Sequence, residues 1–217
     1  MDEFEFRQCE WDECRFRFPT AVDEPKTSRC PMCGAATNIV AVPAPVHPLL
    51  REAQDRLAAP NPTYSALLDN IRSIHNVGSM FRSADGAGIS HIYLCGISAT
   101  PAHPNLSKAA LGAQASIPWT YALNGVDQAQ SLKEQGHLLW AIETAPEAEP
   151  FFAADLSQPG ANVTLVIGNE RAGVDPGILA LCDKTLALPM AGSKRSLNAA
   201  VAMGIVCYYL RFAQNSS

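Results

Sequence analysis

The chain lacks an excess of positive charge: 16 lysines and arginines stand against 21 acidic residues, a formal net charge of −5 over 217 residues. A strongly basic protein would point to nucleic acid by charge alone; this one does not, although a local basic patch stays open. A long hydrophobic run is also missing. The longest, Ala199 to Leu210, falls short of the roughly 20 residues that span a bilayer. The first twenty residues are acidic and carry no apolar stretch of the secretory kind. A soluble, intracellular, cytoplasmic protein with no membrane partner is expected. No G-x-G-x-x-G fingerprint follows the first expected strand and no Walker A sequence occurs, which argues against dinucleotide and P-loop sites. His-Glu-x-x-His is absent, as are internal repeats and low-complexity tracts. What is present is 47% apolar residues, enough for a real core, in a chain sized for one full domain with a small attachment.

Seven cysteines in a reducing compartment are not read as a disulfide framework. Four of them, Cys9, Cys14, Cys30 and Cys33, fall in the first 35 residues, as pairs separated by four and by two residues. The second pair runs Cys30-Pro31-Met32-Cys33-Gly34, a tight turn that lets backbone amides face the sulfurs. Fifteen residues between the pairs allow a hairpin that brings four thiolates together, a set suited to Zn²⁺. Such a site has no open position for catalysis, so the metal staples a segment too short to fold alone. A direct RNA contact by the same segment stays open, and no thioredoxin-like βαβ surrounds the pair to support a redox role. The pattern resembles a zinc ribbon of the rubredoxin-like kind. The expected organisation is a zinc-ribbon-like module at 1–42, a linker with a short helix (Leu49 to Leu57) at 43–63, and the main domain at 64–217.

From Ser65 onward, short apolar strands alternate with helices. Strands are expected at Ala66–Ile71, His91–Cys95, Trp119–Leu123, His137–Ile142, Val163–Ile167 and Thr185–Leu188. Helices are expected at Val77–Ala87, Leu106–Gln114, Asp127–Gln135, Pro176–Cys182 and from Leu197 to about Ala213. This predicts an α/β fold, a mostly parallel sheet with helices on both faces. Ligands then bind outside the carboxyl ends of the strands.

Three such loops carry polar residues. In Asn76-Val77-Gly78-Ser79-Met80-Phe81-Arg82, Asn76 is an N-cap candidate, Gly78 leaves the first turn open, and Arg82 follows just under two turns on. In Gly168-Asn169-Glu170-Arg171-Ala172-Gly173, an apolar strand runs into a glycine and a carboxylate. In Leu188-Pro189-Met190-Ala191-Gly192-Ser193-Lys194-Arg195-Ser196-Leu197-Asn198, Ser196 is an N-cap candidate with two basic neighbours, a setting for an anion. Each loop read alone is also consistent with an ordinary capped helix or a solvated turn. The helix beyond the third loop is apolar nearly all round, as in a core or a subunit interface.

Taken together and in this order, the three loops resemble the three motifs of the SPOUT superfamily, and more closely its SpoU/TrmH branch of RNA 2′-O-ribose methyltransferases. The most specific part is Leu188-Pro189-Met190 followed by Gly192 and Ser196-Leu197-Asn198. The resemblance implies a carboxyl-terminal trefoil knot, which ordinary folds do not contain. It implies S-adenosylmethionine held around Thr144, Gly168, Leu188, Met190 and Leu197, and a homodimer with active sites built from both subunits. It implies catalytic roles for Arg82, Asn76, Glu170, Ser196 and Asn198, with Arg82 held by Asn76 and either orienting the ribose hydroxyl or deprotonating it. The substrate implied is tRNA or rRNA, not DNA, and no metal is needed for the transfer. Asn169 and Arg171 depart from the smaller residues common at those places. Residues 1–35 hold five basic and eight acidic side chains, so the ribbon is no simple phosphate binder. Two other readings remain: a SPOUT-fold RNA-binding protein without catalysis, and a zinc-ribbon adaptor whose α/β domain binds a protein.

Overall fold

In the computed structural model, which describes residues 4–22, 28–43 and 62–213, the apolar strands of the second half gather into one sheet. The chain divides into two units, Met1–Ala58 and Ala59–Ser217. The expected linker helix at Leu49 to Leu57 lies outside the described residues.

The first unit is a three-stranded antiparallel sheet of β1 (Phe4–Cys9), β2 (Arg17–Ala21) and β3 (Thr37–Ala41), in the order β2-β1-β3. Two turns hang from it. One carries Cys9 and Cys14 and ends with Arg15 at φ 45°; the other carries Cys30 and Cys33 and ends with Gly34 at φ 78°. Each turn needs a left-handed residue just after its second cysteine, which glycine takes freely and arginine does not.

The second unit is a seven-stranded sheet in the order β6-β5-β4-β9-β7-β10-β8. Its strands are β4 (Thr63–Asp69), β5 (Ile92–Cys95), β6 (Trp119–Ala122), β7 (His137–Ile142), β8 (Glu149–Pro150), β9 (Asn162–Ile167) and β10 (Lys184–Ala187). Every neighbouring pair is parallel. Such strands are buried on both faces and read as near-continuous apolar runs, as Ala66-Leu67-Leu68 and Val163 to Ile167 do. One face is covered by α1 (Ile74–Ala87), α2 (Leu106–Ala110) and α5 (Ala199–Tyr208), through side chains such as Met80, Phe81, Leu106 and Met203. The other is covered by α3 (Gly125–Glu134) and α4 (Pro176–Leu179), through Ala129, Leu132 and Ile178. Strand order turns back at β4, with β9 slotted between β4 and β7, so the carboxyl ends of β4, β9, β7 and β10 adjoin; a switch in strand order is where such sheets open a crevice.

Several element ends differ from expectation. The helix expected to Gln114 stops at Ala110, because Leu111 and Gly112 take left-handed conformations, and a short 3₁₀ turn follows. The helix expected at Pro176–Cys182 is a single turn ending at Leu179. Strand β8 has no apolar signal and exists through pairing with β10. Beyond Tyr208 the last helix widens to a π-type turn over Tyr209–Ala213.

Candidate active site

The loops after β7, β9 and β10 enclose a cavity of about 480 Å³, within the range of small-molecule sites. Ile142, Ile167, Leu188 and Leu197 supply apolar walls, and Glu143, Glu170, Ser196 and Asn198 supply polar ones. Gly168 sits in its wall because a Cβ there would collide with the backbone of Gly173 and Val174. The glycine thus lets the loop fold back on itself: Asn169 and Gly173 exchange backbone hydrogen bonds of 2.9 Å in both directions.

Glu170 projects from this loop to the start of α1. Its carboxylate accepts from the backbone N–H of Arg72 (2.9 Å) and Ser73 (3.0 Å) and from the side-chain amide of Asn76 (2.8 Å). Partial burial opposes ionisation of this carboxyl. These donors, with Glu170's own backbone N–H, outweigh that cost and hold it below the ordinary glutamate range. Asn76 in turn accepts from the amide of Asn198 at 3.1 Å. The Asn198 side-chain oxygen accepts from the N–H groups of Ala200 (2.9 Å) and Val201 (3.3 Å), capping α5. One hydrogen-bonded chain, Glu170–Asn76–Asn198, therefore ties the β9 loop, α1 and α5 together.

Three local expectations are corrected. Ser73, not Asn76, is the N-cap of α1, which frees the Asn76 side chain to bridge Glu170 and Asn198. Asn198, not Ser196, is the N-cap of α5, so Lys194, Arg195 and Ser196 lie in the preceding exposed loop and not on a helix N-terminus. Gly78 is buried, and a Cβ there would strike Ala109 and Ala110 of α2; it serves helix packing and opens no space to a ligand.

Of the expected cofactor residues, Thr144, Gly168, Leu188 and Leu197 line the cavity, and half-buried Met190 is outside its lining set. Of the expected catalytic residues, Asn76, Glu170 and Asn198 are joined and Ser196 lines the cavity. Arg82 is not held by Asn76. It is exposed beside Ser79, Ser83 and Tyr208, without a hydrogen bond or ion pair among the described residues. Two residues shape the site beyond the set expected to do so. Asn169 donates to the carbonyl of Asn70 (2.7 Å) and accepts from the N–H groups of Arg171 and Ala172, which shapes the loop that presents Glu170. Glu143 lines the cavity and bridges two of its loops. Its position just past an apolar strand was the available signal.

In the first unit the four sulfurs of Cys9, Cys14, Cys30 and Cys33 all lie within 4.8 Å of one another. Cys9 and Cys33 are 3.4 Å apart and Cys14 and Cys30 are 3.8 Å apart. A tetrahedron with Zn–S near 2.3 Å sets its sulfurs roughly 3.8 Å apart, so this donor set fits Zn²⁺.

The profile of the SpoU rRNA Methylase family matches residues 64–208. The chain is 33% identical over 158 residues to the 23S rRNA (guanosine-2′-O-)-methyltransferase RlmB of Vibrio parahaemolyticus, covering 72% of this chain and 62% of that protein. It is 31% identical over 146 residues to the tRNA (guanosine(18)-2′-O)-methyltransferase of Aquifex aeolicus, covering 64% of each. The match thus spans less than two thirds of these relatives' length. Among solved structures, the SpoU methyltransferase AviRb from Streptomyces viridochromogenes in complex with AdoMet aligns with a TM-score of 0.63 at 28% identity, over 86% of this chain and 71% of that one. A parallel sheet whose loops converge on one cavity, with the family profile running from the second residue of β4 to the last of α5, identifies this chain as a member of the SpoU methylase family.

Proposed function

We propose that this chain transfers a methyl group from S-adenosylmethionine to a ribose 2′-hydroxyl of tRNA or rRNA. The observation that carries this reading is the Glu170–Asn76–Asn198 chain at the mouth of the 480 Å³ cavity. Apolar Ile142, Ile167, Leu188 and Leu197 suit an adenine ring, and the polar wall suits ribose hydroxyls and an amino-acid tail. When bound, S-adenosylmethionine supplies an electrophilic methyl group on a sulfonium.

Glu170, Asn76 and Asn198 hold the loop, α1 and α5 at fixed separations, so that a hydroxyl entering beside Ser196 meets the cavity in line. Arg82 orients the hydroxyl and the neighbouring phosphate; a guanidinium binds its proton too tightly to serve as a base. Its place outside the cavity accords with a homodimer in which each copy supplies Arg82 to a shared site. Val201, Ile205 and Tyr208 of α5 and Phe212 of the π-type turn, spaced three or four apart, are 51%, 38%, 48% and 40% exposed, an apolar stripe suited to a second copy. The placement of β9 between β4 and β7, and of β10 between β7 and β8, supports the carboxyl-terminal knot. One Zn²⁺ on Cys9, Cys14, Cys30 and Cys33 would supply folding free energy to the first unit, since four thiolates leave no open position. A four-cysteine metal site that needs reduced thiols, together with an RNA substrate, supports a cytoplasmic location.

Calorimetry with S-adenosylmethionine tests the reading: saturable binding is expected, and no binding to the purified chain refutes it. Arg82→Ala should keep that binding and lose methyl transfer to RNA; unchanged turnover would remove Arg82 from its role.

A further inference from the structure

Glu143 stands at the carboxyl end of β7, half-buried in the cavity wall. One carboxylate oxygen accepts from the Thr144 N–H (2.7 Å) and hydroxyl (3.3 Å), and the other accepts from the Val174 N–H (2.9 Å). A carboxylate offers about four acceptor positions, so three are filled by two different loops and one is left toward the cavity. Donors at both ends fix the group, unlike a solvated surface glutamate. Gly173, at φ 78°, leaves the space: a Cβ there would come within 2.5 Å of the carboxylate.

The other charged side chains lining the cavity are Glu170 and Arg171. Glu170 is committed to the start of α1, whose positive dipole end offsets its charge. Glu143 has no ion-pair partner among the described residues. Arg171 is exposed at the rim, so the half-buried Glu143 is the uncommitted anion of the wall.

We infer that Glu143 is a specificity-determining residue of the cavity, its fixed carboxylate favouring the net-cationic S-adenosylmethionine over the product S-adenosylhomocysteine, whose sulfur is neutral. The inference rests on the proposed function. It gives the site a means of releasing product: methyl transfer removes the sulfonium charge and with it the attraction to Glu143. A fixed charge facing a ligand charge across a partly open cavity is worth roughly three- to tenfold in affinity.

Calorimetry on the full-length chain with each of the two ligands tests it. In Glu143→Gln the ratio of the two dissociation constants should shift against S-adenosylmethionine by that factor. In Glu143→Asp, which keeps the charge but shortens the bridge, both affinities should fall with the ratio retained. If Glu143→Gln weakens both ligands equally, the residue is a loop brace and the inference is overturned while the proposed function stands. If the unmodified chain binds neither ligand, the proposed function falls as well. A variant-free measurement covers the case in which Glu143→Gln does not fold. Raising salt to about 1 M, where the screening length is near 3 Å, should narrow the wild-type ratio, and a salt-independent ratio would overturn the inference.

Discussion

Replacing Glu170 by glutamine removes one charge and keeps the shape. In the native protein its two oxygens receive the N–H groups of Arg72 and Ser73 and the amide of Asn76. Glutamine can accept from one of these sides, but its own NH₂ then faces a donor on the other. Losing one hydrogen bond to a charged acceptor at a partly exposed helix start costs about 1 kcal/mol. Losing the negative charge next to the helix N-terminus adds about 0.3–1 kcal/mol. The expected destabilisation of Ala59–Ser217 is about 1.5–2 kcal/mol, or roughly 3–8 °C in Tm for a unit of this size. The pH dependence separates this from a generic packing defect. Because the folded carboxyl titrates below its ordinary range, its contribution is complete above the unfolded pKa of about 4.3 and is lost as pH falls through the lower folded value. The stability gap between wild type and Glu170→Gln, measured by urea unfolding, should therefore be full at pH 7 and shrink below about pH 4.5. A gap under about 0.5 kcal/mol at pH 7, or one that does not change down to pH 3, would refute the argument.

Other outcomes follow from the same geometry. Gly168→Ala should cost about 1–3 kcal/mol and abolish cofactor binding, because the added methyl meets fixed backbone at Gly173 and Val174; thermal unfolding and calorimetry check both. A strong chelator should unfold the Met1–Ala58 unit and release one zinc per chain, read by circular dichroism and metal analysis, while Cys33→Ser weakens retention. The two cysteine turns should respond oppositely at their left-handed positions: Gly34→Ala should lower the stability of the zinc-loaded unit by about 1 kcal/mol, and Arg15→Gly should raise it by a similar amount or less.

The four clustered cysteines, the parallel α/β order and the three polar loops were legible in the sequence, because each is a local signal: ligand spacing, apolar period, or a polar residue just past an apolar strand. The same local logic misassigned both helix caps. Asn76 and Ser196 have the chemistry of caps, yet Ser73 and Asn198 hold those positions. Capping chemistry alone could not choose, because Asn76 is claimed by partners 94 and 122 residues away in sequence. Gly78 likewise reads as an open turn until α2 is laid across it.

The sequence by itself determined which segments become strands and helices and which residues are chemically suited to a site, since these follow from periodicity and residue type. Only the tertiary structure decided that Glu170, Asn76 and Asn198 form one chain, that Arg82 stands apart from it, and that Glu143 belongs to the cavity. Those facts depend on the placement of β9 between β4 and β7, a pairing between segments nearly a hundred residues apart. Strand order is set by the summed burial of both sheet faces, and no local pattern carries that sum.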